Sequence, residues 1–311
     1  MFEQIITQIR AFDRIIIHRH THPDGDALGS QIGLKHILLE NFPEKEILMV
    51  GDGAGRYGFM KDSVMDDVPD SAYEGALAII LDTSARHLIS DDRYRLAART
   101  ARLDHHIFCE TIADVEVTDT SFESCCGLVT AFAVECGLKI NDLAAQSLYT
   151  GMVTDSGRFR YDSTCSQTFR MAAKLMEQKI DTNELYRNLY ADDFEKMRLR
   201  ASFVMKIQFT PKNVAYIYTT KEELAATGAD IFSVSRGMVS TMSDIRGVDI
   251  WVNFTETDSG VLCELRSSKY NINPIAVKYG GGGHAKASGA TVADRETAMA
   301  MLADLDALTG E

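Results

Sequence analysis

The chain has 311 residues, of which 45% are hydrophobic and 25% charged; this excludes intrinsic disorder and a disulfide-built miniprotein and leaves room for two domains. A formal net charge of −13 argues against a protein that tracks long nucleic acid, which needs a basic surface, but not against a small anionic substrate, because bound cations reverse the sign locally. No segment reads as a membrane span, and Met1–Thr7 lacks the basic and apolar regions of a secretory signal, so a cytoplasmic location away from membranes is expected.

Arg14–His20 reads as a strand, a β-branched run ending in polar residues. Asp26–Asn41 has helical apolar spacing, 46–50 is strand-like, and 76–81 is a continuous apolar run, the pattern of a strand buried on both faces. A short strand is expected at 100–103, followed by helices near 124–136, 142–154, 165–178 and 182–190. This alternation predicts an α/β fold, with a mainly parallel sheet covered by helices. The six cysteines, at 109, 125, 126, 136, 165 and 263, form no CxxC pair and are expected to be reduced and buried.

The charged stretch 191–208 reads as a helical linker between a first domain at 1–190 and a second at 209–311. The second domain is expected to be a smaller α/β unit, with strands at 203–209 (overlapping the linker), 213–219, 248–255 and 260–266, and helices near 221–226, 233–243, 272–279 and 294–308.

The chemistry concentrates at element ends. His20-Thr21-His22-Pro23-Asp24-Gly25-Asp26 lies between a strand and a helix, at the edge where open α/β sheets bind ligands. Asp24 and Asp26 repel each other strongly unless a cation sits between them; the simpler reading of this segment is a helix cap. Asp82 closes the buried run, Asp104-His105-His106 follow the next strand, and Asp155 ends an apolar helix. Each alone has an ordinary explanation as a cap or a turn. Together they form an oxygen- and imidazole-rich set without cysteine, which suits Mn²⁺ best, with Mg²⁺ or Co²⁺ as alternatives. Six donors exceed one open site and fit two ions bridged by a shared carboxylate, the arrangement that clamps an in-line phosphoryl displacement.

His20-x-x-x-Asp24-x-Asp26, Asp82, Asp104-His105-His106 and Asp155, with Gly280-Gly281-Gly282-Gly283-His284 and Ala287-Ser288-Gly289 further on, resemble the motifs of the DHH phosphoesterases and of their associated C-terminal domain. Within that superfamily the chain is most similar to the NrnA-type nanoRNases, which hydrolyse RNA fragments of a few residues and often 3′-phosphoadenosine 5′-phosphate (pAp). The resemblance implies that His20, Asp24 and Asp82 hold one ion and Asp26, Asp82, His105 and Asp155 the other. It further implies that His106 faces the scissile phosphate and that Asp104 orients the histidine pair.

The glycine run exposes backbone N–H groups to an anion, and Arg266 can offer a bidentate fork to a phosphate. Arg266, Ser267, Ser268, Gly281, Gly282, Gly283 and His284 are therefore the substrate-binding candidates, with Lys269 weaker and Arg158 and Arg160 as further possible contacts. The expected activity is two-metal hydrolysis of short oligoribonucleotides or pAp to 5′-mononucleotides. The alternatives are a cyclic or linear di-AMP phosphodiesterase, a family II-like pyrophosphatase and a non-catalytic nucleotide sensor; family analogy also allows a homodimer.

Overall fold

The computed structural model describes residues 1–309, and the chain divides into two compact units, Met1–Ala191 and Asp192–Glu311. The first unit runs α1 (Glu3–Ala11), β1 (Arg14–His18), α2 (Gly25–Asn41), β2 (Glu46–Met49), β3 (Leu77–Leu81), β4 (Arg99–Asp104), β5 (Val115–Thr118), α3 (Cys125–Glu135), α4 (Asp142–Asp155), α5 (Ser166–Leu175) and α6 (Thr182–Tyr190). Its five strands form a sheet in the order β2-β1-β3-β4-β5, parallel throughout. The expected mainly parallel sheet covered by helices is thus present. β5 is not evident from the sequence, because Val115-Glu116-Val117-Thr118 is short and half polar.

The order of the strands places the site. The chain goes from β1 outward to β2, then returns to the other side of β1 for β3, so the connections leaving β1 and β3 diverge. Open sheets bind ligands at such a switch point, beyond the strand carboxyl ends. All five side chains of β3 are buried. Against the sheet, α2 and α4 approach closely because Gly25, Gly29 and Gly33 share one helix face. A Cβ at Gly29 would come within 2.5 Å of the Ser147 carbonyl oxygen, and one at Gly33 within 2.5 Å of the Leu148 side chain.

The second unit contains α7 (Phe194–Val204), β6 (Gln208–Phe209), β7 (Ala215–Thr219), α8 (Lys221–Thr227), β8 (Ile250–Thr257), β9 (Gly260–Ser267), α9 (Asn273–Lys278), β10 (Gly282–His284), β11 (Ala287–Val292) and α10 (Arg295–Leu308). Its six-stranded sheet has the order β10-β11-β9-β8-β7-β6. Only β7 and β8 pair in parallel. One face packs Ile250, Val252, Phe254 and Leu265 with Met301 and Leu305 of α10.

Two expectations are corrected, and a third holds with a different helix type. The strand expected at 203–209 is confined to its end: Phe203 and Val204 close α7, the Phe203 ring is buried with Ile217 and Trp251, a turn follows at Met205 and Lys206, and only Gln208–Phe209 pair with β7. The helix expected at 233–243 is present as an unbroken helical run from Ile231 to Met242, π-type at Ser233–Gly237 and 3₁₀ at Ser240–Met242. All six cysteines are free, but Cys109 and Cys165 are exposed and Cys136 half-buried rather than buried. Among the described residues, no helix is long and apolar enough to cross a membrane.

Candidate metal centre

The carboxyl edge of the parallel sheet gathers residues from four segments. After β1, Asp24 is the N-cap of α2, and its Oδ1 accepts the N–H groups of Asp26 and Ala27, both at 2.9 Å. The cap expected from the sequence is real, and the same side chain also stands 3.9 Å from His20 Nε2. Asp26 is buried and accepts the N–H groups of Cys125 at 2.7 Å and Cys126 at 2.9 Å. The amino end of α3 thus points at a carboxylate, a favourable placement for negative charge.

Asp82 follows β3 with φ of 49°, a left-handed conformation uncommon outside glycine and one that clusters at functional sites. Its Oδ2 lies 3.4 Å from His20 Nε2, and its Oδ1 lies 3.5 Å from His105 Nε2 and 3.6 Å from His106 Nδ1. His105 Nε2 is also 3.7 Å from Asp26 Oδ2 and 3.6 Å from Asp155 Oδ2. His106 is fixed differently, by a 2.8 Å hydrogen bond between its Nδ1 and Asp104 Oδ1.

Three groups therefore have donor atoms within 4.8 Å of one another and could hold an ion: His20–Asp24–Asp82, Asp26–His105–Asp155, and Asp82–His105–His106. Three observations fit divalent cations here. The separations of 3.4–3.7 Å are long for hydrogen bonds but near the roughly 3.0–3.5 Å between ligands of an ion bound at about 2.1 Å. Asp82 Oδ1 is buried without a hydrogen-bond partner. The donor set itself mixes carboxylate with imidazole.

Without a cation the cluster is electrostatically strained. Burial, with Asp82 and Asp155 nearby, pushes the Asp26 carboxyl well above its ordinary range. Burial likewise carries Asp155 up to about 6. Burial also opposes the ionised form of Asp82, but the His105 and His20 imidazoles outweigh it and hold Asp82 far below the usual carboxylate range. Burial works against charge on the imidazoles too, yet Asp82 raises His20 to about 9 and Asp82 with Asp26 raises His105 to about 10. The bond to Asp104 raises His106.

Two supports are not evident from the sequence. Arg102, fully buried, donates to Asp104 Oδ2 and lies 3.7 Å from Glu116 Oε1, so it anchors the carboxylate that holds His106. Arg19, also fully buried, donates to Gln31 Oε1 and the His20 carbonyl, both at 3.0 Å, and to Asp52 Oδ1 at 2.8 Å. Asp52 in turn accepts the His22 N–H at 2.7 Å and the Ser90 hydroxyl at 2.6 Å. His22, no member of the three groups, thereby helps tie down the loop that carries His20. The available signal is an arginine inside each apolar strand pattern, a costly burial unless paired.

The second unit holds the remaining candidates. Arg266 is partly exposed near the end of β9; its guanidinium donates to the Leu265 carbonyl at 2.8 Å and to Glu264 at 3.2 Å. The Ser267 hydroxyl is occupied: it donates to the Asp249 carbonyl at 2.9 Å and accepts the Lys269 and Tyr270 N–H groups. Ser268 is exposed and contacts Asp249. The glycine run is not one open loop. The N–H groups of Gly280 and Gly281 cap α9 through the Val277 and Ala276 carbonyls, while Gly282–His284 pair with β11. A Cβ at Gly281 would fall 2.1 Å from the Gly289 carbonyl oxygen and one at Gly283 2.6 Å from that of Ala287, so close strand approach itself demands glycine. Gly282 has open space, and His284 is exposed at the strand end.

Residues 14–152 match the DHH family, N-terminal domain, and residues 228–311 match the DHHA1 domain. The bifunctional oligoribonuclease and PAP phosphatase NrnA of Bacillus subtilis (strain 168) is 35% identical over 314 residues, spanning 100% of this chain and 99% of that protein. The chain belongs to the DHH family. Another DHH relative, a probable bifunctional oligoribonuclease and PAP phosphatase NrnA of Streptococcus mutans, is 36% identical over 93% of each chain. The crystal structure of an exopolyphosphatase-related protein from Bacteroides fragilis superposes with a TM-score of 0.83 at 25% identity, covering 100% of this chain and 97% of that one. DHH phosphoesterases are metal-dependent, and the acidic and imidazole groups described above could bind the metal.

Proposed function

We propose that this DHH phosphoesterase hydrolyses phosphate esters of very short oligoribonucleotides, such as 5′-pApA, and of pAp, releasing 5′-mononucleotides. The names of the full-length relatives support the substrate class. The observation that carries the chemistry is Asp82, which turns one oxygen to His20 and the other to His105 and so links the His20–Asp24–Asp82 group to the histidine shared with Asp26 and Asp155. His20, Asp24 and Asp82 would hold one divalent ion and Asp26, Asp82, His105 and Asp155 the other; the hard-to-borderline donors favour Mn²⁺. Such an ion pair supplies an acidified water and charge stabilisation for in-line displacement at phosphorus.

The protein's own part is orientation and proton transfer. Asp104 fixes the His106 ring through Nδ1, leaving Nε2 without a partner among the described residues. That nitrogen is the atom available to donate to a phosphate oxygen or leaving group. The substrate grip in the second unit is assigned to Arg266, Gly282, Gly283 and His284, with Ser267 stabilising the turn beneath them.

The test is hydrolysis of 5′-pApA, pAp, cyclic di-AMP, a 24-mer RNA and pyrophosphate with Mn²⁺, each against an EDTA control. Chelator-sensitive cleavage of pApA and pAp, with little turnover of the 24-mer, is the expected result. Dominant pyrophosphate hydrolysis, or no turnover of any substrate, would overturn the reading.

A further inference from the structure

The turn after Asp155 has an uncommon backbone. Gly157, Arg158 and Phe159 have φ of 57°, 64° and 62°, three left-handed residues in succession, a conformation costly for the two that carry a Cβ. The surroundings over-determine it. The Arg158 N–H donates to the Val153 carbonyl at 2.8 Å, and the Phe159 N–H donates to the Ser156 hydroxyl at 2.9 Å. A Cβ at Gly157 would meet the Tyr161 ring at 2.4 Å. Strain of this kind persists at ligand clamps, where it fixes the aim of a side chain.

That aim is toward Tyr190, and a second arginine stacks on a tyrosine beside the metal centre. The Arg158 guanidinium lies over the Tyr190 ring, 4.7 Å from its centre, and the Arg56 guanidinium lies over Tyr57 at 5.0 Å. The Tyr57 hydroxyl is next to the Gly25 amide and feels Asp24 and Asp155, and Tyr190 feels Arg158, Arg56 and Tyr57. Both arginines are exposed, and neither has a carboxylate partner among the described residues. In a chain with 45 acidic and 32 basic residues, two such arginines at the rim of a carboxylate cluster leave positive charge for an anion from outside.

We propose that Arg158 and Arg56, set over Tyr190 and Tyr57 at the edge of the carboxylate–imidazole cluster, form a phosphate subsite that takes a second, non-scissile phosphate of a nucleotide substrate. The inference rests on the reading of the chain as a hydrolase of phosphorylated nucleotides. Guanidinium forks match phosphate oxygens, and the tyrosine rings beneath them hold the two guanidinium planes in place. A substrate with a single phosphate leaves the arginines without their anion, so the subsite selects molecules that carry two.

The test is calorimetric titration of the full chain, in EDTA, with pAp and with adenosine. The wild type is expected to bind pAp more tightly than adenosine. Arg158→Asn, chosen because asparagine tolerates the left-handed region, and Arg56→Gln should each weaken pAp binding by about tenfold, the scale of one charge-assisted hydrogen bond, and change adenosine binding less than twofold. With Mn²⁺, the preference in kcat/KM for 5′-pApA over ApA should shrink by a similar factor. Equal affinity of the wild type for pAp and adenosine, unchanged pAp binding in both variants, or equal losses for both ligands would overturn the subsite. If Arg158→Asn lowers the Tm, Arg56→Gln carries the test. Absence of hydrolysis by the wild type would count against the proposed activity, whereas the EDTA titration decides the subsite by itself.

Discussion

Asp82 Oδ1 lies 3.5 Å from His105 Nε2, and the opposite oxygen of the same carboxylate faces His20 at 3.4 Å. The left-handed backbone at Asp82 sets the carboxylate between the segments that follow β1 and β4. Asp82→Asn keeps the shape and suits that backbone but removes the bridging charge. It is expected to lower the bound metal from two ions per chain to one or none, and turnover by at least about 10³-fold. Metal content by plasma emission, measured beside the rate, checks both. Two retained ions with wild-type activity would remove Asp82 from the bridging role.

The Asp104–His106 bond makes a separate prediction. Asp104→Asn leaves a neutral partner for Nδ1 and loses the charge that Arg102 secures from behind. Loss of one oriented proton-transfer group costs roughly 10²–10⁴-fold in rate. The variant should therefore lose about two orders of magnitude or more in kcat while keeping two ions. A change in metal content of the size expected for Asp82→Asn would place Asp104 among the ligands instead.

Stability of the metal-free protein should depend on pH with a definite sign. His20 and His105, raised by Asp82 to about 9 and about 10, keep their protons after unfolded histidines, with a pKa of about 6.5, have lost theirs. Between roughly pH 6.5 and pH 10 the folded state binds more protons, so this stabilisation is fully present below that window and disappears as the pH rises through it. Metal binding needs neutral imidazoles and ionised carboxylates and should reverse the trend. Melting in EDTA is expected to show a Tm falling from about pH 6.5 to about pH 9.5, and melting in Mn²⁺ a higher Tm over the same range. A flat EDTA profile would contradict the assignment.

The legible parts of the structure are those encoded in contiguous residues. Ile15–Ile17 and Leu77–Leu81 announce buried parallel strands, and the donors stand at their ends, so the cluster can be assembled from order alone. What stays hidden depends on partners distant in sequence. Nothing local to Arg19 points to Asp52, and nothing in Ser267 tells that its hydroxyl is occupied by Asp249, Lys269 and Tyr270. The glycines at 281 and 283 look like a flexible cradle until Gly289 and Ala287 are seen against them. The 203–209 stretch misleads because Phe203 and Ile207 fit an apolar strand pattern, while packing against Trp251 and its neighbours selects a helix that ends at Val204.

The approach of α2 to α4 can be tested at Gly29. A methyl group there meets the Ser147 carbonyl oxygen at 2.5 Å and Cys126 Sγ at 2.9 Å, and the backbone cannot yield as a flexible side chain can. Alanine gains up to about 1 kcal/mol in helix propensity, against about 1–3 kcal/mol for overpacking. Subtracting the full propensity gain leaves Gly29→Ala destabilising by up to about 2 kcal/mol in urea unfolding. The strain falls three residues from Asp26, so metal affinity should weaken as well. A stabilised variant would mean that the helices separate easily.

Arg266 tests the second unit's part in the reaction. Its guanidinium already holds the Leu265 carbonyl and Glu264, and Glu264 also accepts from Arg236 at 3.0 Å. The fork is thus held in place before a ligand arrives, which lowers the entropy cost of binding. Arg266→Ala should raise KM for pApA about tenfold or more, the worth of a charge-assisted contact, and lower kcat far less, because a phosphate remote from the reacting bond is held alike in ground and transition states. Arg266→Lys keeps the charge without the fork and should fall between the two. An unchanged KM in both variants would move the grip to His284 and the β10 edge strand at Gly282, whereas a fall in kcat alone would mean that Arg266 acts on the reacting phosphate.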